Sequence, residues 1–211
     1  MKNKAIITTM ALVISGALSV FAQTPEFNIV KPSTTGVPGE EVRVMKFDPA
    51  GNLWIAGRFY FSGEGGLAML SADQLNHQPL PGGGFDTGAW RVWSSVHHPI
   101  PSVYIYDMVF GDGGVIWIAS DGGLTRFDPA APTEAQRWFT YTPANSPLIL
   151  NGVRSLAFDS HGNLWLTNVN VQTSNGALFR FNPTSNVWTQ YRVGQELPWS
   201  PPWCNVNDVY V

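Results

Sequence analysis

The chain has 211 residues, with 12 Lys and Arg against 15 Asp and Glu, for a net charge of −3. Charged residues are 13% of the total and form no basic cluster, which argues against a nucleic-acid partner. Cys204 is the only cysteine, so no internal disulfide can form, and packing of 9 Trp and 12 Phe must hold the fold.

In chain order, residues 1–22 read as a signal peptide. Lys2 and Lys4 precede an apolar run from Ala5 to Phe21, and Val20 and Ala22 suit cleavage ahead of Gln23. A membrane anchor is the alternative, but the run is near the short limit for a span and rich in small hydroxyl residues. Read as a leader, it implies an exported product, whether periplasmic, surface-bound or secreted, with no membrane contact after cleavage. Phe27 to Val30 sits before the first repeat as a strand four would, and reads as a closing strand.

Residues 42–56, 105–119 and 153–167 align without gaps on Trp54, Trp117 and Trp165. The spacings are 63 and 48 residues, near the size of a four-stranded propeller blade. Blades are expected at about 42–96, 103–142 and 153–192. In each, strand one (Val153 to Phe158 in the third) is apolar on both faces. A turn with Asp48 and Gly51, or Asp159 and Gly162, leads to the Trp-bearing strand two. Asp accepts bonds from nearby amides and Gly takes positive φ, so this is a turn with a mechanism. Gly114 holds the glycine position in the second unit, but Gly111 stands where Asp is expected, and Asp112 is expected to take over.

A Gly pair opens strand three, which spans Leu124 to Pro129 in the second unit and Leu178 to Pro183 in the third. Strand four is read at Ala89 to Ser94, Arg137 to Tyr141 and Val187 to Tyr191. An insertion rich in Gly and Pro lengthens the first unit, with a helical turn at Ser71 to Leu75. Val206 to Val211 repeats the start of a strand one, so a fourth unit is expected to begin there. Such a meander needs a neighbour over each face, and a ring supplies one while a β-sandwich does not explain the period. The fold class is therefore all-β: a β-propeller of four-stranded antiparallel blades, incomplete, whose missing C-terminal blades would be partners within the same chain. Closure by oligomerisation is the alternative.

The runs Asp159 to Leu166 and Gly122 to Pro129 resemble two-component regulator propeller repeats. That family forms the periplasmic sensor part of bacterial signalling proteins and also occurs in free-standing exported proteins. The resemblance implies a sensor propeller and names no ligand. The repeats are similar, more weakly, to streptogramin B lyase propellers, whose catalytic residues match no position here.

In a propeller, the connections from strand four to the next strand one share an end with those from strand two to strand three. Binding residues concentrate on such loops. They carry Arg58, Tyr60 and Glu64; His97 and His98; Asp121; Asn168; and Trp199 and Trp203. The histidine pair has no nearby Cys or acid in sequence to complete a metal set. The tryptophans would make a platform for a sugar or apolar ligand, or else pack against a further blade. Asp107 and Asp208 share a column of the repeat and could line the channel. No phosphate loop, nucleophile elbow or zinc-protease motif occurs, and no cofactor is indicated. The expected function is binding of a small molecule, glycan or protein by an exported module, with a propeller enzyme and a docking propeller as rivals.

Overall fold

Each Trp-marked unit closes as one antiparallel meander. The computed structural model describes residues 41–58, 64–75, 90–169, 176–192 and 209. The first blade has β1 (Glu41–Phe47), β2 (Leu53–Arg58), β3 (Gly65–Leu70) and β4 (Trp90–Ser94). The second has β5 (Ile105–Phe110), β6 (Ile116–Ser120), β7 (Gly123–Phe127) and β8 (Trp138–Tyr141). The third has β9 (Val153–Phe158), β10 (Leu164–Val169), β11 (Gly176–Asn182) and β12 (Val187–Arg192). Strands pair in sequence order within each sheet. The only helices among the described residues are short: α1 (Ala72–Leu75), α2 (Glu134–Arg137) and a 3-10 turn at Asp112–Gly114. The chain is all-β, and its sheets stand as propeller blades without closing into a barrel.

In the first and third units the turn after the inner strand is held by its own side chains. Asp48 accepts the N–H groups of Ala50 and Asn52 at 2.9 Å each, and the Trp54 indole N–H at 2.9 Å. Asp159 accepts from His161, Asn163 and the Trp165 indole at the same distances. The sequence spacing thus reflects one carboxylate that ties a turn to the strand after it. Gly51 and Gly162 take φ of +83° and +74°, as that turn requires. In the second unit Asp112 does not take over the acid's role. It opens the 3-10 turn, where its carbonyl accepts from Val115, while Gly113 and Gly114 carry the positive φ. The second glycine of the pair before strand three answers to space: a Cβ on Gly123 would lie 2.3 Å from the Tyr141 carbonyl oxygen.

Blades are joined by a repeated aromatic stack. Trp117 stacks on Tyr141 at 6.0 Å, an ordinary separation for such pairs, and Phe181 of the next blade meets Trp117 edge-on at 5.6 Å. Phe181 in turn lies flat on Trp188 at 4.0 Å. One blade earlier, Trp54, Trp93, Phe127 and Trp138 repeat the pattern. Val44, Leu67, Ile105, Met108 and Ile118 fill the core between the first two blades; Leu124, Val153, Leu156 and Leu166 fill the next. The outer face of the first blade buries Ile55, Ala68 and Trp90 with Leu75 of α1 packed on them. The insertion therefore contributes to packing on the face of the first blade turned away from the second.

The inner strands also bond to one another. Leu156 N–H donates to Asp107 Oδ2 at 2.9 Å, and Val209 N–H donates to Ser155 Oγ at 3.2 Å. Asp107 and Ser155 hold the same place in the repeat, as do Leu156 and Val209. Asp107 also takes Lys46 Nζ and the Met108 N–H. It is a partly buried link between three blades and not an open channel acid; Asp208, Phe27 to Val30 and the rest of 206–211 lie outside the described residues.

Candidate functional site

Every inner strand carries a β-bulge near its start. Val42 and Val44 pair with Gly57 and Ala56, which leaves Arg43 as the extra residue. Ile105 and Asp107 pair with Ser120 and Ala119, which leaves Tyr106. Val153 and Leu156 pair with Asn168 and Leu166, so Arg154 and Ser155 share one partner. A bulge turns a side chain out of the pleat. Arg43, Tyr106 and Arg154 occupy one column of the repeat, and all three meet at the end of the blades where the second-to-third-strand connections lie.

The Arg154 guanidinium carbon sits 3.7 Å from the centre of the Tyr106 ring, and that of Arg43 sits 5.8 Å from the same ring. Arg58 covers Tyr104 at 4.4 Å. Glu41 accepts from Arg58 Nε at 2.6 Å and pairs with Arg43 at 3.0 Å. Asp121 lies 3.8 Å from Arg154, the guanidinium that covers Tyr106. These five charged groups sum to +1. The bond from Arg58, with Arg43 behind it, holds the Glu41 carboxyl below its ordinary value despite some burial. Burial, then the hydrogen bond to Asp121, pushes the Tyr106 hydroxyl above its ordinary value. Arg154 Nε is shielded from solvent with no acceptor on it among the described residues. The cluster therefore offers guanidinium donors and flat ring faces in one place. Such a surface receives anionic or planar groups.

Two residues marked in the sequence, Arg58 and Asp121, belong to this cluster. Arg58 ends strand β2 instead of lying in a loop, because it pairs with Gly65. Glu64 is exposed beside Gly65, at the same end. Asn168 is placed differently from expectation. It lies within β10, fully buried, and uses its whole amide on one connection. It accepts from Ile149 and Leu150 and donates to the carbonyls of Leu150 and Gly152, at 2.8–3.1 Å. That set leaves nothing for a ligand; Asn168 is a brace for residues 149–152. His97 is exposed in a turn after β4. His98 faces away from the cluster, 3.1 Å from Glu134 and 6.5 Å from the Trp138 ring. Tyr60, Trp199 and Trp203 lie outside the described residues. Among the described residues, no three His, Cys, Asp or Glu side chains converge as metal ligands do.

The residues that sequence reading missed are Glu41, Arg43, Tyr104, Tyr106 and Arg154. One signal was available: a polar column of Arg, Tyr and Arg interrupts an apolar strand in all three units.

No protein-family model matches the chain, and no curated protein matches it. Among solved structures, the extracellular domain of a protein described as a hybrid two-component system of B. thetaiotaomicron is similar, with a TM-score of 0.54. The chains are 18% identical over 81% of this chain and 19% of that one. These are propeller blades. The blades span about a fifth of that neighbour, and at this identity the likeness concerns fold alone. Looser likenesses are the extracellular domain of a B. thetaiotaomicron protein described as a one-component system (TM-score 0.49, 17% identity, 80% of this chain and 18% of that). Another is a virginiamycin B lyase of Staphylococcus aureus (TM-score 0.41, 16% identity, 82% of this chain and 60% of that). Neither adds to the fold assignment.

Proposed function

We propose that these blades form the ligand-binding part of an exported bacterial sensor, and that the ligand is met at the channel mouth through an anionic group. The observation that carries this reading is the shared aim of Arg43, Tyr106 and Arg154, three bulge residues from three blades around one ring. A sensor needs a site assembled from several units, so that occupancy alters how the units sit together. Here an anion on Arg43 and Arg154 would bridge the first and third blades across the second. Glu41 holds Arg43 and Arg58, and Asp121 pairs with Arg154, so the donors are held before a ligand arrives. Export follows the leader-like residues 1–22 and agrees with the extracellular setting of the structural neighbours.

The test is a calorimetric screen of matched anionic and neutral small molecules and saccharides against the full chain at low and high salt. An anionic compound should bind, and binding should weaken as salt rises. Arg43→Gln and Arg154→Gln should each cut affinity about tenfold or more, the worth of one charge-assisted hydrogen bond. Equal binding of neutral compounds, or indifference to both substitutions, would remove the mouth from consideration.

A further inference from the structure

We propose that the cleft beside Gly111, at the opposite end from the mouth, is a second binding site for a small molecule that joins a carboxylate to an apolar ring. The repeat itself supplies the template. In the first and third units the Trp indole N–H ends on an Asp carboxylate at 2.9 Å, and the same carboxylate collects the amides two and four residues on. In the second unit one backbone bond of that turn is kept, although a 3-10 turn replaces the rest. Gly111 N–H donates to the Val115 carbonyl at 2.8 Å, as Asp48 does to Asn52 at 3.0 Å and Asp159 to Asn163 at 2.9 Å. The frame is present and its acid is absent.

The space changes accordingly. Between the first and second blades a cleft of about 450 Å³ is lined by Phe47, Asp48 and Phe110, and the Trp54 indole is not on its wall. The equivalent cleft between the second and third blades is about 620 Å³, and Trp117 does line it. Where the acid is present it stands between indole and cleft; without it the indole N–H opens onto the cleft. Phe110 and Phe158 form apolar walls, and Arg126 stands at the rim, paired with Asp128 at 3.1 Å. Two acids line it as well: Asp159 is occupied by its own turn and indole, and Asp112 stands exposed on the 3-10 turn. A volume of this size suits a small ligand. The donors on its wall, Trp117 N–H and Arg126, are those that suit a carboxylate, and the two phenyl walls suit a ring.

The experiment uses the full chain labelled with ¹⁵N and phenylacetate as probe. The Trp117 indole resonance is identified by its loss in Trp117→Phe, or by its shift alone in Gly111→Asp should the first variant fold poorly. Phenylacetate should move that resonance saturably, with a Kd on the order of millimolar for so small a ligand. Phenylacetamide should move it far less. Gly111→Asp restores the repeat's own acid and should abolish the response, while Arg154→Gln at the mouth should leave it intact. A Trp117 resonance that phenylacetate does not move would overturn the proposal. So would an undiminished response in Gly111→Asp, or an equal response to the amide, which would show an adventitious apolar contact only.

Discussion

The two ends of the blades are built on opposite terms. At the turn end, a carboxylate gathers donors no more than six residues away and repeats this in the first and third units. At the mouth, Arg43, Tyr106 and Arg154 come from three blades, and their contacts are ring faces and ion pairs that differ at each position. Local, repeated and saturated bonds serve folding. Contacts that cross blades, vary and keep donors unspent serve recognition.

The sharpest way to break that division is Asp48→Ala. Removing a carboxylate with this many donors should cost about 2–3 kcal/mol, or about 4–12 °C in melting temperature, while ligand response at the mouth is unchanged. Thermal melts followed by circular dichroism, with calorimetry at the mouth, measure both. Arg154→Gln should do the reverse. Its stability effect should stay within about 1 kcal/mol, since its ion pair is long and partly exposed, and the anion response should fall.

Acid should attack the turn end first. Partial burial pushes the Asp48 carboxyl up, but bonds from Trp54, Asn52 and Ala50 outweigh it and hold it below the ordinary value. Asn163, Trp165 and His161 hold Asp159 lower still. A carboxyl depressed by folding lends stability above its unfolded pKa, and that stability is lost as pH falls through the folded value. Stability should therefore drop as pH is lowered below about 4, and Asp48→Asn should make the drop shallower. Melting curves across that range decide. The smallest effect concerns Tyr106. A hydroxyl raised by burial and Asp121 favours the folded state below the unfolded pKa and loses that share as pH rises past it. Ultraviolet titration should show late-ionising phenols from Tyr106 and from partly buried Tyr141, and Tyr106→Phe should remove one of them.

The same division explains what could be read from sequence. Asp48, Asp159, Gly51 and Gly162 were legible because each acts on neighbours a few residues away, and the tryptophans because they recur in register in every unit. The mouth was legible only by end: Arg58 and Asp121 follow from which connections share it. Arg43, Tyr106 and Arg154 were hidden inside strands read as apolar on both faces, since a bulge is set by the register of the partner strand. Asn168 was misplaced for a related reason. Strand two of the third blade runs on to Val169 because Gly176 extends its pairing, and this turns a presumed loop amide into a buried brace.

The inner-strand links carry one more consequence. Between the second and third blades, Asp107 clasps a main-chain amide of its neighbour, and a backbone group moves only with its strand. Between the first and second, Val44 stands where that acceptor belongs, and the seam is closed by Lys46 reaching Asp107 on a long, rotatable stem. The first seam is thus the compliant one, and Arg43 and Tyr106 face each other across it. A molecule gripping both would tighten the softer joint and leave the stiffer one as the fulcrum.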